Sequence, residues 1–235
     1  MKALSLFALL LSLSCIQTAP PASVAPEADY QAMDLLGWPV FVAKELKSDP
    51  LWPEVHDEAE AQLRRLHKVL PPAFLLELQK TRIFLELHRG ESPCAVYNPD
   101  PEWLRQHGAD PLLAKAVQVS DARHFLDWTR NQPSMLLHEL AHSYHDRVLS
   151  FNNPEIATLY AQAKAGGHYD AVLHTGSAKA VPHYALSNPQ EYFAEGIEAY
   201  FGCNDFYPFV RSELQQADPA LHEWIRSHLD AVPGR

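Results

Sequence analysis

The stretch "LLHELAHSYHD", residues Leu136 to Asp146, decides how this sequence is interpreted. Three histidines, a glutamate and an aspartate lie there among leucines, in a segment with the spacing of a buried helix. Burying polar and charged groups costs free energy unless they are paired or bind a ligand. The stretch therefore predicts a helix whose polar side chains face a binding site.

The spacing of the first two histidines indicates a metal site. His138 and His142 are four residues apart, so on a helix they differ by about 40° around the axis and about 6 Å along it. Both imidazoles can then reach one point, and Glu139 can lean over the same point. Two neutral imidazoles can hold zinc, and a neighbouring carboxylate can take a proton from a water in the open position. We expect His138 and His142 to bind one Zn²⁺ and Glu139 to be the general base.

The sequence gives less reason to place His145 and Asp146, the last two polar residues of the stretch, in the metal site. His145 shares the face of the motif histidines but lies about 10.5 Å along the helix from His138, too far to join it on one ion. We interpret it as lining the cleft or supporting the site from outside, and a hydrogen-bonded core histidine is the favoured structural alternative. Asp146 either orients a side chain or ends the helix, and we favour a structural role.

The elements around this helix predict an α+β fold with several helices and a small sheet formed early in the chain. Strands are predicted at 37–46, 82–88, 94–98 and 115–120, with 94–98 pairing with 82–88. Apolar spacing predicts helices at 52–70, 73–80, 122–130, 154–166, 189–201 and around Trp224. Asp121, Asn153, Asn188 and Asp218 are expected to cap helices, and Asn131 or Ser134 caps the quoted helix, with Pro133 in its first turn. Segment 168–187 is expected to be irregular or a hairpin.

The N-terminus is typical of an exported protein. Lys2 precedes a short apolar run, so we assign residues 1–15 to a secretory signal and the Pro/Ala-rich residues 16–28 to a flexible tether. A buried first helix is the structural alternative. Cys15 leaves a bacterial lipid anchor open, although Ser12 stands where such sites usually have leucine. We expect a secreted or cell-envelope protein whose residues 29–235 form one domain.

Composition and charge argue against a nucleic-acid partner and against a membrane span, and they leave the pairing of two cysteines open. The formal net charge is −10 and no basic run offsets it, which argues against nucleic acid as a partner. After the N-terminus no run approaches the roughly 18 apolar residues of a membrane span, so the mature chain is expected to have none. Cys94 and Cys203 either form one disulfide or remain two thiols.

Two separated blocks carry a family resemblance. "HELAHSYHD" and the later "HYALSNPQEYFAEGIEAYF" resemble the anthrax lethal factor-like catalytic domain, a gluzincin-type group of zinc metallopeptidases that includes secreted Pro-Pro endopeptidases. The resemblance implies that His138, His142 and Glu191 hold the zinc, that Glu139 is the base, and that Tyr184 lies over the ion.

The resemblance also implies the architecture around the site. It implies a mainly helical zinc-metallopeptidase domain with a small sheet whose edge strand lies above the active-site helix. We expect the segment "KAVQVS", residues 115–120, to be that edge and to pair with the backbone of a peptide or protein substrate.

Three glutamates compete for the third ligand position. Glu191, Glu195 and Glu198 share one helical stripe, and the resemblance selects Glu191, whose charge in the first turn is also favoured by the helix dipole. We expect Glu195 to accept the free N–H of a zinc-bound histidine, His138 more than His142. Glu198 is expected to be a solvated or salt-bridged surface residue.

These residues favour a secreted zinc endopeptidase, in which zinc polarises the peptide carbonyl, Glu139 activates water and Tyr184 donates to the developing oxyanion. One alternative is a non-catalytic secreted domain stabilised by zinc. Structural zinc normally has four protein ligands, and neither Glu139 nor Tyr184 is needed to hold a metal. A second alternative is a zinc hydrolase that acts on a non-peptide amide.

Overall fold

The computed structural model describes residues 29–89 and 94–230. The expected signal at 1–15, the tether at 16–28 and the lipid-anchor option at Cys15 lie outside the described residues. Within the described ranges, no helix combines the length and apolar character needed to cross a bilayer. The fold is α+β and mainly helical with one small sheet, which confirms the predicted fold class.

A five-stranded mixed sheet is built from the first half of the chain. Its strands are β1 (Tyr30–Leu35), β2 (Trp38–Ala43), β3 (Arg82–Leu85), β4 (Ala95–Asn98) and β5 (Ala116–Val119). Their spatial order is β1-β2-β3-β5-β4, with the three inner strands parallel and the two outer strands antiparallel. The central strand β3 is apolar and buried after its first residue, as expected for a strand covered on both faces.

The sheet corrects two expectations. β5 lies inside the sheet, so the segment 115–120 is not its edge. β4 forms that edge, and it pairs with β5 rather than with β3. β1, with the sequence YQAMDL, was not predicted from the sequence. In the structure its burial does not alternate either, because the four residues between its buried ends are exposed or half-buried. A tight turn at Leu36 and Gly37, with φ of 56° and 88°, joins β1 to β2 and fixes their register.

Helices account for most of the remaining chain. They are α1 (Lys44–Ser48), α2 (Trp52–Val69), α3 (Pro72–Leu78), α4 (Pro101–Gln106), α5 (Ala122–Trp128), α6 (Met135–Tyr144), α7 (Pro154–Gly166), α8 (Pro189–Phe201), α9 (Arg211–Ala217) and α10 (Pro219–His228). Short 3₁₀ turns lie at Pro111–Leu113 and Tyr184–Leu186, and a π-helical turn at His145–Leu149 continues α6. The predicted helices are all present, whereas α1, α4 and α9 were not predicted. Segment 168–187 is irregular, with one antiparallel bridge between Val172 and Val181.

Side-chain caps begin several helices as predicted. The caps are Asp121 for α5, Asn153 for α7, Asn188 for α8 and Asp218 for α10. The start of α6 differs, because Ser134 occupies the N-cap position without a capping bond and Pro133 precedes the helix. The Ser134 hydroxyl instead accepts the N–H of Cys203 at 2.9 Å. This bond ties the start of α6 to the chain just beyond α8.

Two central helices carry the polar residues singled out above. α6 packs against α8 on one side and against β4 and β5 on another. Residues 135–143 of α6 and 192–201 of α8 are all buried. A helix buried all round leaves no solvent-exposed face, so its polar side chains must find partners inside the protein. Within the described residues Cys94 is a buried free thiol and Cys203 an exposed one, so they form no disulfide.

Candidate metal centre

Three side-chain atoms from α6 and α8 converge on one point. Nε2 of His138 lies 3.0 Å from Nε2 of His142, and Oε2 of Glu191 lies 3.1 Å from the first and 3.2 Å from the second. Tetrahedral zinc with bonds of about 2.0–2.1 Å holds its ligand atoms about 3.3 Å apart. The nearly equilateral triangle therefore fits the ligand spacing of one zinc ion. The structure thus brings together the three residues expected to bind metal.

The local sequence explains how each of the three side chains reaches this point. His138 and His142 project from one face of α6, and the leucines of the helix, Leu136, Leu137 and Leu140, are buried. Glu191 lies in the first turn of α8, where its N–H donates to the Asn188 side chain at 2.9 Å. This capping bond fixes where α8 begins, and therefore which glutamate faces the histidines.

The outer nitrogen of His138 corrects the expected roles of the two remaining glutamates. Nδ1 of His138 lies 2.6 Å from Oε1 of Glu198 and 3.7 Å from Oε1 of Glu195. The hydrogen bond expected for Glu195 therefore goes to Glu198, which is buried and not a surface residue. At 100° per residue, Glu198 lies about 20° from Glu191 around the helix, whereas Glu195 lies about 40° away. Glu198 thus stays closer to the face that meets α6.

This hydrogen bond selects the tautomer of His138. An ionised carboxylate only accepts, so in the neutral ring the bond keeps the proton on Nδ1. In that neutral form, the lone pair of Nε2 is directed to the point shared with His142 and Glu191. That is the form in which a histidine binds a metal.

Glu195 is held by a residue that the sequence did not single out. Its Oε2 accepts from the Asn204 side chain at 2.8 Å, and the same amide group donates to the Glu195 carbonyl at 3.0 Å. Nδ1 of His183 lies 3.8 Å from the same Oε2. Asn204 lies in the segment after α8, and no local pattern in the sequence marked it as a partner.

His138, Glu191, Glu195 and Glu198 have unevenly shifted pKa values. Burial opposes the charged form of His138, but its bonds with Glu191 and Glu198 outweigh burial and raise its pKa well above the usual range. Burial opposes the charged form of Glu191 as well, but its bonds with the two histidines prevail and hold its pKa below the usual range. Burial raises the pKa of Glu198 to about 7, and burial with repulsion from Glu198 raises the pKa of Glu195. Neither Oε1 of Glu195 nor Oε2 of Glu198 has a hydrogen-bond partner in the described part of the chain.

Glu139 lies beside the three converging side chains and against the edge of the sheet. It is 8% exposed, and its Oε2 accepts the backbone N–H of Tyr97 on β4 at 2.7 Å. The edge strand predicted to lie above the active helix is therefore present, although a different segment supplies it. Nothing in the sequence of residues 94–98 indicated this contact.

A cavity of about 340 Å³ opens over Glu139 and His138. Its remaining lining residues are Ala95, Trp128, Gln132, Met135, Tyr184 and Phe206. Tyr184 is 49% exposed, and burial of its ring together with the negative charge of Glu191 raises its pKa, so the phenol remains a donor. The sequence singled out Tyr184 but missed Trp128 and Phe206, because isolated aromatic residues in separate segments have no local signature.

The last two residues of the opening stretch have different roles. His145 is fully buried between Phe151 and Phe193, and neither ring nitrogen has a hydrogen-bond partner among the described residues. It is thus a core histidine, but not a hydrogen-bonded one, and burial lowers its pKa to about 4, so it stays neutral. Asp146 accepts from the Tyr97 phenol at 2.6 Å and from Lys115 Nζ at 2.5 Å, which agrees with a structural role.

Comparison with known proteins finds one distant structural similarity. No protein-family model and no curated protein matches the sequence. Among solved structures, the chain is similar to the Pro-Pro endopeptidase of Paenibacillus alvei, with 22% sequence identity and a TM-score of 0.40. The likeness covers 73% of this chain and 89% of that chain. At this level it assigns neither a family nor an activity to the chain.

Proposed function

We propose that this chain is a zinc-dependent endopeptidase. The observation that carries the proposal is the triangle of His138 Nε2, His142 Nε2 and Glu191 Oε2, with Glu139 next to it in the floor of an open cavity. These three residues would hold one zinc ion, which would supply Lewis acidity toward water and a peptide carbonyl. Three protein ligands with an open fourth position are typical of a catalytic zinc site, and His138 and Glu139 line the cavity.

Two further residues would transfer the proton of the attacking water and stabilise the negative charge that develops on the carbonyl oxygen. Glu139 would take the proton of the attacking water and deliver it to the leaving amine, because its carboxylate faces the cavity beside the ligands. Tyr184 would donate its phenolic hydrogen to the oxyanion that develops on the carbonyl oxygen. Its raised pKa supports this role, since only the protonated phenol can donate.

The surroundings of the site suit a peptide chain. β4 is an edge strand, and its Ala95 lines the cavity, so an extended peptide can add to the sheet beside Glu139. Trp128, Met135 and Phe206 form apolar walls that would receive an uncharged side chain next to the scissile bond.

Of the two alternatives, a structural zinc domain fits the site less well, whereas a hydrolase of non-peptide amides differs only in its substrate. A purely structural zinc site is closed by four protein ligands, whereas the described residues that meet at this point are His138, His142 and Glu191. A zinc hydrolase of non-peptide amides would use the same ligands, and only the substrate separates it from a peptidase.

We also propose that the protein is exported, with its signal at residues 1–15, its tether at 16–28 and a single catalytic domain at 29–235. The apolar run after Lys2 supports export. Mass spectrometry of the protein made by a bacterial host would locate the cleavage site. A fatty-acid label that is lost in Cys15→Ser would establish lipid attachment, and an unlabelled native protein would exclude it.

The activity is tested with casein and gelatin as substrates and with zinc content measured in parallel. The proposal expects about one zinc per chain, cleavage that stops with a chelator and returns with zinc, and an inactive Glu139→Gln variant that still binds zinc. Zinc without cleavage of any peptide in a mixed library, but with cleavage of simple amides, would support the non-peptide alternative. Zinc with neither activity would support a structural role, and no zinc would overturn the proposal.

A further inference from the structure

Tyr97 contacts the proposed general base through its backbone. On β4 the N–H and C=O groups of alternate residues face the neighbouring strand β5. Cys94 belongs to the set that faces β5, since its carbonyl accepts the Ser120 N–H at 2.8 Å. Tyr97 belongs to the other set, so its amide points outward from the sheet. There it donates to Oε2 of Glu139 at 2.7 Å.

The side chain of the same residue makes a second contact with the active helix. Its phenol donates to Oδ2 of Asp146 at 2.6 Å, and Tyr97 itself is only 4% exposed. Lys115 Nζ lies 2.5 Å from the same carboxylate oxygen and forms an ion pair with it. Burial and the bond to Asp146 raise the pKa of Tyr97, so the phenol keeps its proton and donates.

The two contacts lie on one side of the active helix. Glu139 and Asp146 are seven residues apart, which is about two helical turns or 10.5 Å. Tyr97 therefore makes two hydrogen bonds to this helical segment, one to Glu139 and one to Asp146.

We infer that Tyr97 is a positioning residue for Glu139. Its phenol, held by Asp146, fixes β4 so that its amide holds one carboxylate oxygen of Glu139 and leaves the other oxygen to accept a proton in the cavity. A catalytic carboxylate must be held close to its productive orientation, and a displacement of about 1 Å can cost roughly a hundredfold in rate. The inference rests on the proposed function for its catalytic consequence, but not for the contact itself.

The contact is tested without activity, by amide hydrogen exchange of residue 97 in the full-length protein. Exchange should be roughly ten- to a hundredfold faster in Glu139→Ala, because the amide loses a bond to a charged acceptor. It should stay slow in Glu139→Gln, whose amide oxygen still accepts. It should also rise in Asp146→Ala, which releases the phenol. Unchanged exchange in Glu139→Ala or in Asp146→Ala overturns the inference, whether or not the protein is a peptidase.

The catalytic consequence is tested with Tyr97→Phe and a matched control. The Tyr200 phenol donates to Asp230 at 2.9 Å, and Asp230 also pairs with Arg211 at 2.9 Å. This is the same kind of bond, between the C-terminal end of α8 and the chain after α10, so Tyr200→Phe measures the cost of losing a tyrosine–aspartate bond that does not involve β4.

Tyr97→Phe should lower kcat about tenfold with KM and zinc content little changed, and Tyr200→Phe should leave kcat unaltered. Asp146→Asn should keep most of the rate because its side-chain oxygen still accepts from Tyr97. Normal kcat in Tyr97→Phe, or an equal loss in Tyr200→Phe, contradicts the positioning role. An inactive wild-type protein with the predicted exchange pattern would refute the proposed function and leave the Tyr97–Glu139 contact established.

Discussion

Replacement of Glu198 by alanine should weaken zinc binding more than the same change at Glu195. Glu198 accepts from Nδ1 of His138 at 2.6 Å, whereas the nearest oxygen of Glu195 is 3.7 Å from that nitrogen. Without Glu198, the His138 ring loses the acceptor that keeps its proton on Nδ1. The ring can then turn or change tautomer, and both changes remove the lone pair from the ligand position.

The expected loss of zinc affinity follows from these hydrogen-bond distances. The Nδ1–H of a buried ring left without a partner costs about 1–3 kcal/mol. Loss of such an outer partner weakens metal affinity by about 10- to 100-fold, or roughly 1.4–2.7 kcal/mol. Glu195→Ala removes the acceptor of Asn204 but leaves the bond to His138, so its effect on affinity should be only a fewfold. Glu198→Gln is the matched control, because it keeps an acceptor oxygen and removes the charge.

Competition with a chromophoric chelator gives the zinc dissociation constant of each variant. The expected order of affinity is wild type, Glu195→Ala, Glu198→Gln and then Glu198→Ala. Circular dichroism of the metal-free proteins controls for misfolding. The tautomer argument is refuted if Glu198→Ala binds zinc like the wild type while Glu195→Ala binds it at least tenfold more weakly.

Three other substitutions test separate parts of the site. Glu191→Ala should nearly abolish zinc binding, and an intact zinc stoichiometry would show that Glu191 is not a ligand. Tyr184→Phe should lower kcat by roughly ten- to a thousandfold at unchanged zinc content, as expected for one oxyanion donor, whereas normal kcat would indicate a packing role. Trp128→Ala should reduce kcat/KM about tenfold for substrates with an apolar side chain beside the scissile bond. Its control is Trp103→Ala, since both rings are about half exposed and stack on a histidine, but Trp103 does not line the cavity.

The parts of the site that depend on one helix were predictable from the sequence. The spacing of His138 and His142 and the cap at Asn188 are local features, so geometry alone predicts which side chains share a face. The edge strand was not predictable, because strand order is set by contacts between distant segments, and β4 and β5 are both short and apolar. Glu198 was assigned to the surface because a glutamate late in a helix is usually solvated. That rule fails here because both faces of α8 are covered.

The burial of α8 has an energetic consequence that favours a cation at this site. Four carboxyl groups, those of Glu139, Glu191, Glu195 and Glu198, are buried or nearly buried around two histidines. Each buried charge costs several kcal/mol unless a partner offsets it, and protons serve this purpose only in part, as the raised pKa of Glu198 indicates. A core that needed only apolar packing would be more stable with leucine or methionine at these positions. A divalent ion between His138, His142 and Glu191 would offset this negative charge directly. The arrangement therefore supports the proposed metal site, since it is costly as packing alone.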